Sequence, residues 1–82
     1  MTYTFKNLNI KYAGKDWLAY GTAEYELDDF GDGDSEAGFL SAKVTDAIGL
    51  KGHASKEELT AMEDAVVSSL NQNDSLCRLL GR

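Results

Sequence analysis

The sequence predicts an α+β domain: a small antiparallel β-sheet, made of a hairpin and a third strand, packed by a C-terminal α-helix and a short final helical turn. From Tyr3 to Leu27 apolar residues recur with a period of two, as in half-buried strands. Between Leu59 and Leu70 the apolar spacing becomes that of an amphipathic helix. Eighty-two residues supply one core, so we expect a single domain over residues 1–82.

A hairpin accounts for residues 3–27. The apolar alternation changes parity near Lys6–Asn7, which predicts a β-bulge or a break in the first strand. The composition of residues 13–16 is typical of a turn, in which Gly14 can take a positive φ. Gly21 indicates a bulge or a close backbone approach in the second strand. The apolar face of that strand is expected to carry Trp17, Ala19, Ala23, Tyr25 and Leu27.

The middle of the chain is expected to contain a loop followed by the third strand. Residues 28–38 are rich in aspartate and glycine, which form strands and helices poorly, so we expect a loop. Phe30 is the apolar exception and should fold back onto the hairpin. The even positions of residues 39–48 favour a strand that ends at Gly49 and Gly52, although the same apolar spacing also fits a helix.

The second half of the chain predicts helix. Ser55 followed by Glu58 forms a capping box, in which each side chain bonds the backbone N–H of the other residue. The apolar stripe of the helix is Leu59, Met62, Val66 and Leu70. Asn73 or Asp74 is expected to cap the final turn. That turn carries Leu76, Leu79 and Leu80.

Composition excludes several classes of function. The formal net charge is −6, whereas direct binding to nucleic acid or to anionic membranes needs a basic surface. No apolar run approaches the ~20 residues of a membrane span, and the chain does not open with a signal-peptide pattern. The single cysteine forbids an internal disulfide, which fits a reducing compartment. We therefore expect a soluble, cytoplasmic protein.

An acidic run is the clearest functional signal. It holds seven of the 14 acidic residues and no basic residue. Glu24 and Glu26 project from one side of their strand about 6.6–6.8 Å apart, inside the physiological Debye length of about 8 Å, so they act together on a basic partner. The expected partner-binding residues are Glu24, Glu26, Asp28, Asp29, Asp32, Asp34 and Glu36. The open alternative is a solvated acidic loop on a protein that binds its partner through an apolar or aromatic surface.

Charge density limits the idea of nucleic-acid mimicry. Seven charges spread over thirteen extended residues give roughly one charge per 6 Å, against one per ~1.7 Å in duplex DNA. A convincing mimic would also need the acids of the helix on the same face. These are Glu57, Glu58, Glu63 and Asp64.

Metal and catalytic chemistry fit the sequence poorly. An EF-hand loop starting at Asp28 would place Phe30 and Phe39 where oxygen ligands are required. His53 has no second histidine to share a zinc ion, so we expect a solvated loop residue. Cys77 has an apolar context and is expected to be a core or interface residue. We expect no catalytic residue, no metal and no cofactor, and hence a binding protein rather than an enzyme.

A second interaction surface is expected on the second strand. A small sheet covered by one helix leaves a face or an edge that must be charged or covered. Trp17, Leu18 and Tyr20 put apolar groups on both faces of this strand. Such a patch suits a protein partner or a homodimer.

The strands Tyr-Thr-Phe and Ala-Glu-Tyr-Glu, the Asp/Gly segment and the helix start Ser-Lys-Glu-Glu-Leu together resemble small accessory proteins of bacteriophages. The resemblance implies a host-directed role in the bacterial cytoplasm, as in anti-CRISPR proteins. The implied partner is a host protein with a basic surface that handles nucleic acid, which this chain would bind and inhibit or modulate. The alternative is a structural or oligomerising module of a mobile element, with weak metal binding in the Asp/Gly loop.

Overall fold

The computed structural model describes residues 1–29 and 35–81, and its fold is the predicted α+β class. Within these residues an antiparallel sheet follows chain order, and helices pack against it. The strands are β1 (Thr2–Tyr12), β2 (Lys15–Asp29), β3 (Ser35–Gly49) and the two-residue β4 (Gly52–His53). The helices are α1 (Lys56–Asn71) and α2 (Asp74–Leu80). Residues 39–48 are therefore strand, not helix.

The first hairpin matches the sequence prediction closely. Tyr12 pairs with Lys15, so Ala13 and Gly14 alone make the turn, with φ values of 54° and 75°. Two positive φ angles suit the right-handed twist of the flanking strands. The predicted bulge lies between Phe5 and Leu8 and includes a positive φ at Asn7.

The second hairpin is longer than predicted. The expected loop over residues 28–38 is wrong at both ends, because Asp28 pairs with Glu36 and Asp29 pairs with Ser35. Pairing with a facing strand outweighs the weak strand propensity of these residues. Phe30 lies outside the described residues.

Two register shifts change which side of β3 is buried. They fall opposite Tyr20/Gly21 and opposite Glu24/Tyr25, and each inserts one extra residue into β3. A bulge of this kind moves the following side chains to the other face. The even-numbered alternation of the sequence therefore fails, and Leu40 is 62% exposed. The buried residues of β3 are Ala37, Phe39, Val44 and Ala47.

The core lies between α1 and one face of the sheet. Met62, Val66 and Leu70 of the predicted stripe are buried, and Leu59 is half-buried against them. The central strand β2 contributes small buried residues to this core: Ala19, Gly21 and Ala23. Small residues at the centre of a sheet let large neighbours interdigitate at high packing density.

Both helix starts are capped as the sequence indicates. Ser55 Oγ accepts from the Glu58 N–H at 3.2 Å, and Glu58 Oε1 accepts from the Ser55 N–H at 3.1 Å. Asn73, rather than Asp74, caps α2 by accepting from the Leu76 N–H at 3.2 Å. Cys77 is buried between the helices and donates to the Leu70 carbonyl, which confirms its place in the core.

Groups outside the sheet bond the outer edge of β3 at three residues, through the backbone at Phe39 and Ala47 and through the side chain at Ser35. The Asn71 side chain accepts from the Phe39 N–H at 2.8 Å and donates to the Phe39 carbonyl at 3.0 Å. Ser35 donates its hydroxyl proton to the Gly81 carbonyl, and the Ala54 N–H donates to the Ala47 carbonyl. Asn71 thus acts as a one-residue strand partner and blunts an edge that would otherwise be open.

Candidate interaction surface

Four of the predicted acids lie on the outer face of the long hairpin, opposite the face that packs in the core. Glu24, Glu26 and Asp28 occupy alternate positions of β2 and are all exposed. Alternate strand residues share one face and lie about 6.6–6.8 Å apart. Glu36 of β3 is directly opposite Asp28 and extends this row across the hairpin. These four residues are called the acidic end below.

Two residues of the acidic end have partners. Glu24 accepts a hydrogen bond from the Thr2 hydroxyl at 2.8 Å and lies 3.9 Å from the N-terminal ammonium group. Glu36 forms an ion pair with Arg78 of α2 at 3.4 Å. Both pairs are well exposed, so each contributes only ~0–1 kcal/mol. They hold the two carboxylates in place more than they stabilise the fold.

The other two residues of the acidic end are unneutralised in the described structure. Neither the Glu26 nor the Asp28 carboxylate forms an ion pair or a hydrogen bond with residues 1–29 or 35–81. Asp28 Oδ2 leans across the hairpin and lies 3.8 Å from the position that a Cβ on Gly38 would take. The pair Asp28–Glu36 places like charges directly opposite each other, which destabilises a sheet.

The remaining predicted acids are only partly located. Asp29 is in β2 opposite Ser35. Asp32 and Asp34 lie outside the described residues. The acidic run is therefore the end of a paired hairpin for at least part of its length, rather than the loop that the sequence predicted.

The helix acids divide between two places. Glu63 and Asp64 line a shallow groove of about 290 Å³ together with Leu40–Ala42 of β3, one strand away from Glu24. Glu57 and Glu58 lie in the first turn of α1, about 20 Å along the helix from the Asn71 end. The described helix acids therefore do not join Glu24, Glu26 and Asp28 in the single acidic face that duplex mimicry requires, because those residues lie on the side of the sheet opposite the core.

The secondary surface differs in its members from the prediction. Trp17 is 8% exposed and belongs to the core, where its indole N–H donates to the Tyr12 carbonyl. Leu18 does lie on the outer face, directly opposite Ile48, and both are more than a third exposed. Leu50 is fully exposed in the following turn. We call Leu18, Ile48 and Leu50 the apolar end.

The apolar end borders an open groove of about 530 Å³ rimmed by Lys15 and Lys51. Tyr20 is not part of this groove and instead donates its hydroxyl proton to Asn7 at the bulge of β1. Sequence reasoning missed Ile48 and Leu50. The sequence did contain one indication of this surface. Leu50 lies between Gly49 and Gly52, and a leucine in such a short glycine-flanked turn is expected to be exposed.

His53 is exposed, as expected, but it lies in β4 and has a partner. Its Nδ1 is 3.0 Å from Asp46 Oδ1 and 3.1 Å from Asp46 Oδ2. The hydrogen bond from His53 lowers the pKa of Asp46 below 3.8, helped by the Ala47 N–H and opposed by partial desolvation. The pair joins the short strand β4 to β3.

The remaining chemistry-bearing groups are arranged for structure. Burial raises the pKa of the Cys77 thiol, and the charges of Glu36 and Asp74 raise it further, which disfavours the reactive thiolate. Within residues 1–29 and 35–81, no three side chains of His, Cys, Asp or Glu converge as a metal site requires. None of the helices described is both long enough and apolar enough to cross a membrane.

No protein-family model matches the chain, and neither a curated protein nor a solved structure matches it.

Proposed function

We propose that this protein is a non-enzymatic binding module that presents its acidic end to a basic surface of another protein. The observation that carries the proposal is the exposed row of Glu24, Glu26 and Asp28, in which the last two have no counter-charge among the described residues. Carboxylates held at this spacing act together on a partner that lies within a Debye length of about 8 Å.

A stability argument supports the same function. Asp28 and Glu36 repel each other across the hairpin, and asparagine at position 28 would keep the shape of the side chain without the repulsion. Functional surfaces commonly retain residues that the fold alone would not favour. The acidic end is therefore better explained by a ligand than by folding.

The proposed partner is a nucleic-acid-handling protein in the bacterial cytoplasm, bound and inhibited or modulated by a protein of a phage or mobile element. Basic surfaces that bind phosphates are the surfaces that a row of fixed carboxylates complements. Anti-CRISPR-like inhibition is one form that this activity would take.

The test compares two variants of equal charge. Glu26→Gln/Asp28→Asn removes two charges from the acidic end, and Glu57→Gln/Asp64→Asn removes two exposed charges from α1. Each tagged protein is used to capture partners from bacterial lysate at low salt, with quantitative mass spectrometry as the readout. The leading partner is then purified and its affinity for each protein is measured by calorimetry.

We expect the partner to be retained by the wild type and the α1 variant, to be lost with the acidic-end variant, and to be released by salt. A partner bound equally by both variants, or held at high salt, would refute recognition through the acidic end.

A further inference from the structure

The two edges of the sheet are treated differently. The β3 edge is covered by Asn71, Gly81 and Ala54, as described above. The eleven-residue strand β1 is at the other edge of the sheet and contacts α1, and no backbone hydrogen bond from residues 1–29 or 35–81 reaches its outward N–H and C=O groups. An unpaired edge of this length offers a row of backbone donors and acceptors to another strand.

The bulge in β1 determines which backbone groups point outward. Met1 exchanges both backbone hydrogen bonds with Tyr25, so its N–H and C=O face β2. The alternation of an antiparallel ladder then turns the groups of Thr2 and Thr4 outward. Beyond the bulge, the residues whose backbone N–H and C=O groups point away from β2 are Asn9 and Lys11, and their side chains are exposed.

We propose that β1 pairs with β1 of a second copy about a two-fold axis near Lys6–Asn7. Thr2 then lies opposite Lys11 of the second copy, and Thr4 lies opposite Asn9. In this register the outward N–H and C=O groups of one copy face outward N–H and C=O groups of the other. This match is possible because the bulge moves the outward groups from even-numbered residues before it to odd-numbered residues after it. The pairing uses the parts of β1 on either side of the bulge, and a two-fold axis closes the assembly at a dimer.

Charge complementarity favours the second copy as the occupant. Glu24 lies beside Thr2 in the sheet and accepts a hydrogen bond from its hydroxyl. Lys11 of the second copy would lie two strands from Glu24, on the same face of the joined sheet. The backbones of the two residues would be about 9–10 Å apart, and the two long side chains can bridge this distance. The two-fold axis repeats this attraction. The two Lys6 side chains approach each other at the axis, and their repulsion opposes the attraction between Lys11 and Glu24.

The experiment reverses the two charges. Lys11→Glu, Glu24→Lys and the double variant are compared with wild type by sedimentation equilibrium from micromolar to millimolar concentration. Within one chain Lys11 pairs with Asp16, and it lies about 30 Å along β1 from Thr2, the neighbour of Glu24. Rescue by the double variant would therefore be intermolecular.

We expect wild type to dimerise, each single variant to weaken the dimer by about tenfold, and the double variant to recover most of the affinity. A wild type that remains monomeric at millimolar concentration would overturn the proposal. A double variant no better than the single variants would overturn the register.

A backbone test accompanies the charge test. Thr4→Pro removes an outward N–H that the chain's own ladder does not use, whereas Thr4→Ala keeps it. We expect the proline variant to be monomeric and the alanine variant to dimerise, with melting temperature reporting whether each is folded. Dimerisation of a folded proline variant would contradict edge pairing. If the proline variant does not fold, the charge variants decide. Glu26→Gln/Asp28→Asn leaves β1 unchanged, so this proposal and the proposed function fail independently.

Discussion

The centre of the sheet and its acidic end are built differently, although both belong to the same pair of strands. At the centre, Gly21 packs so closely that a Cβ there would lie 2.1 Å from the Lys43 carbonyl oxygen and 2.9 Å from the Phe5 ring. At the acidic end, a Cβ on Gly38 would have its nearest neighbour at 3.8 Å. Packing determines the residue at the centre, whereas the acidic end leaves room for other choices.

The difference teaches where to look for function in a small domain. Near Gly21 every buried side chain is explained by the core, which includes Met62 and Val66 with no exposed surface. Around Asp28 the sheet carries like charges in direct opposition and gains only exposed ion pairs. Residues that the fold does not need are the best candidates for recognition.

The largest expected effect separates the two glycines. Gly21→Ala forces β2 and β3 apart and should lower the free energy of unfolding by roughly 1–3 kcal/mol or more. Gly38→Ala meets only ordinary contacts and should change it little, or raise it by up to ~1 kcal/mol through the unfolded chain. Urea unfolding of both variants checks the contrast, and equal losses would show that the centre is not packed as described.

A smaller loss is expected when the β3 edge is uncovered. Asn71→Ala removes both hydrogen bonds to Phe39 and leaves two part-buried backbone groups unpaired, which should cost about 1–3 kcal/mol. Gln72→Ala is the neighbouring control, because within the described residues the Gln72 side chain bonds the exposed Ser68 and no strand. Thermal unfolding of the two variants provides the comparison. Equal stability would show that Asn71 does not hold the edge.

A still smaller effect on stability is expected from Asp46, and it should disappear as the pH falls. Its folded-state pKa is lowered by the hydrogen bond from His53, so its contribution to stability is present above pH 3.8 and is lost as the pH falls through the lowered value. The stability gap between wild type and Asp46→Asn should therefore close on acidification. In a His53→Ala background the Ala47 N–H still lowers the pKa of Asp46, so the gap should be smaller and depend less on pH. A gap between wild type and Asp46→Asn that persists in acid would contradict the assigned cause.

Much of this fold was predictable because its local signals agree. The capping box at Ser55, the α1 stripe, the turn at Gly14 and the parity change at Lys6–Asn7 are all short-range patterns with fixed geometry. The acids on one side of β2 were also predictable, since period two fixes the face of Glu24 and Glu26.

The remainder depends on contacts between distant residues. The sequence around Asn71 does not indicate that its amide will bond Phe39. A polar residue that follows the apolar stripe of a helix gives the same sequence pattern whether or not a strand edge lies nearby. The two register shifts in β3 arise from pairing with β2, so the residues next to Leu40 in the sequence could not predict that its side chain is exposed. Asp28 joined a strand for the same reason.

The measurement that tests the central claim most directly is the free energy of unfolding of Glu26→Gln/Asp28→Asn, at low and at high salt. If the acidic end is kept for binding rather than for folding, the variant should match wild type or exceed it by up to ~1 kcal/mol at low salt. Salt should reduce that gain by screening the repulsion in the wild type. A loss of more than ~1 kcal/mol would show that these carboxylates stabilise the fold, and the account would be wrong.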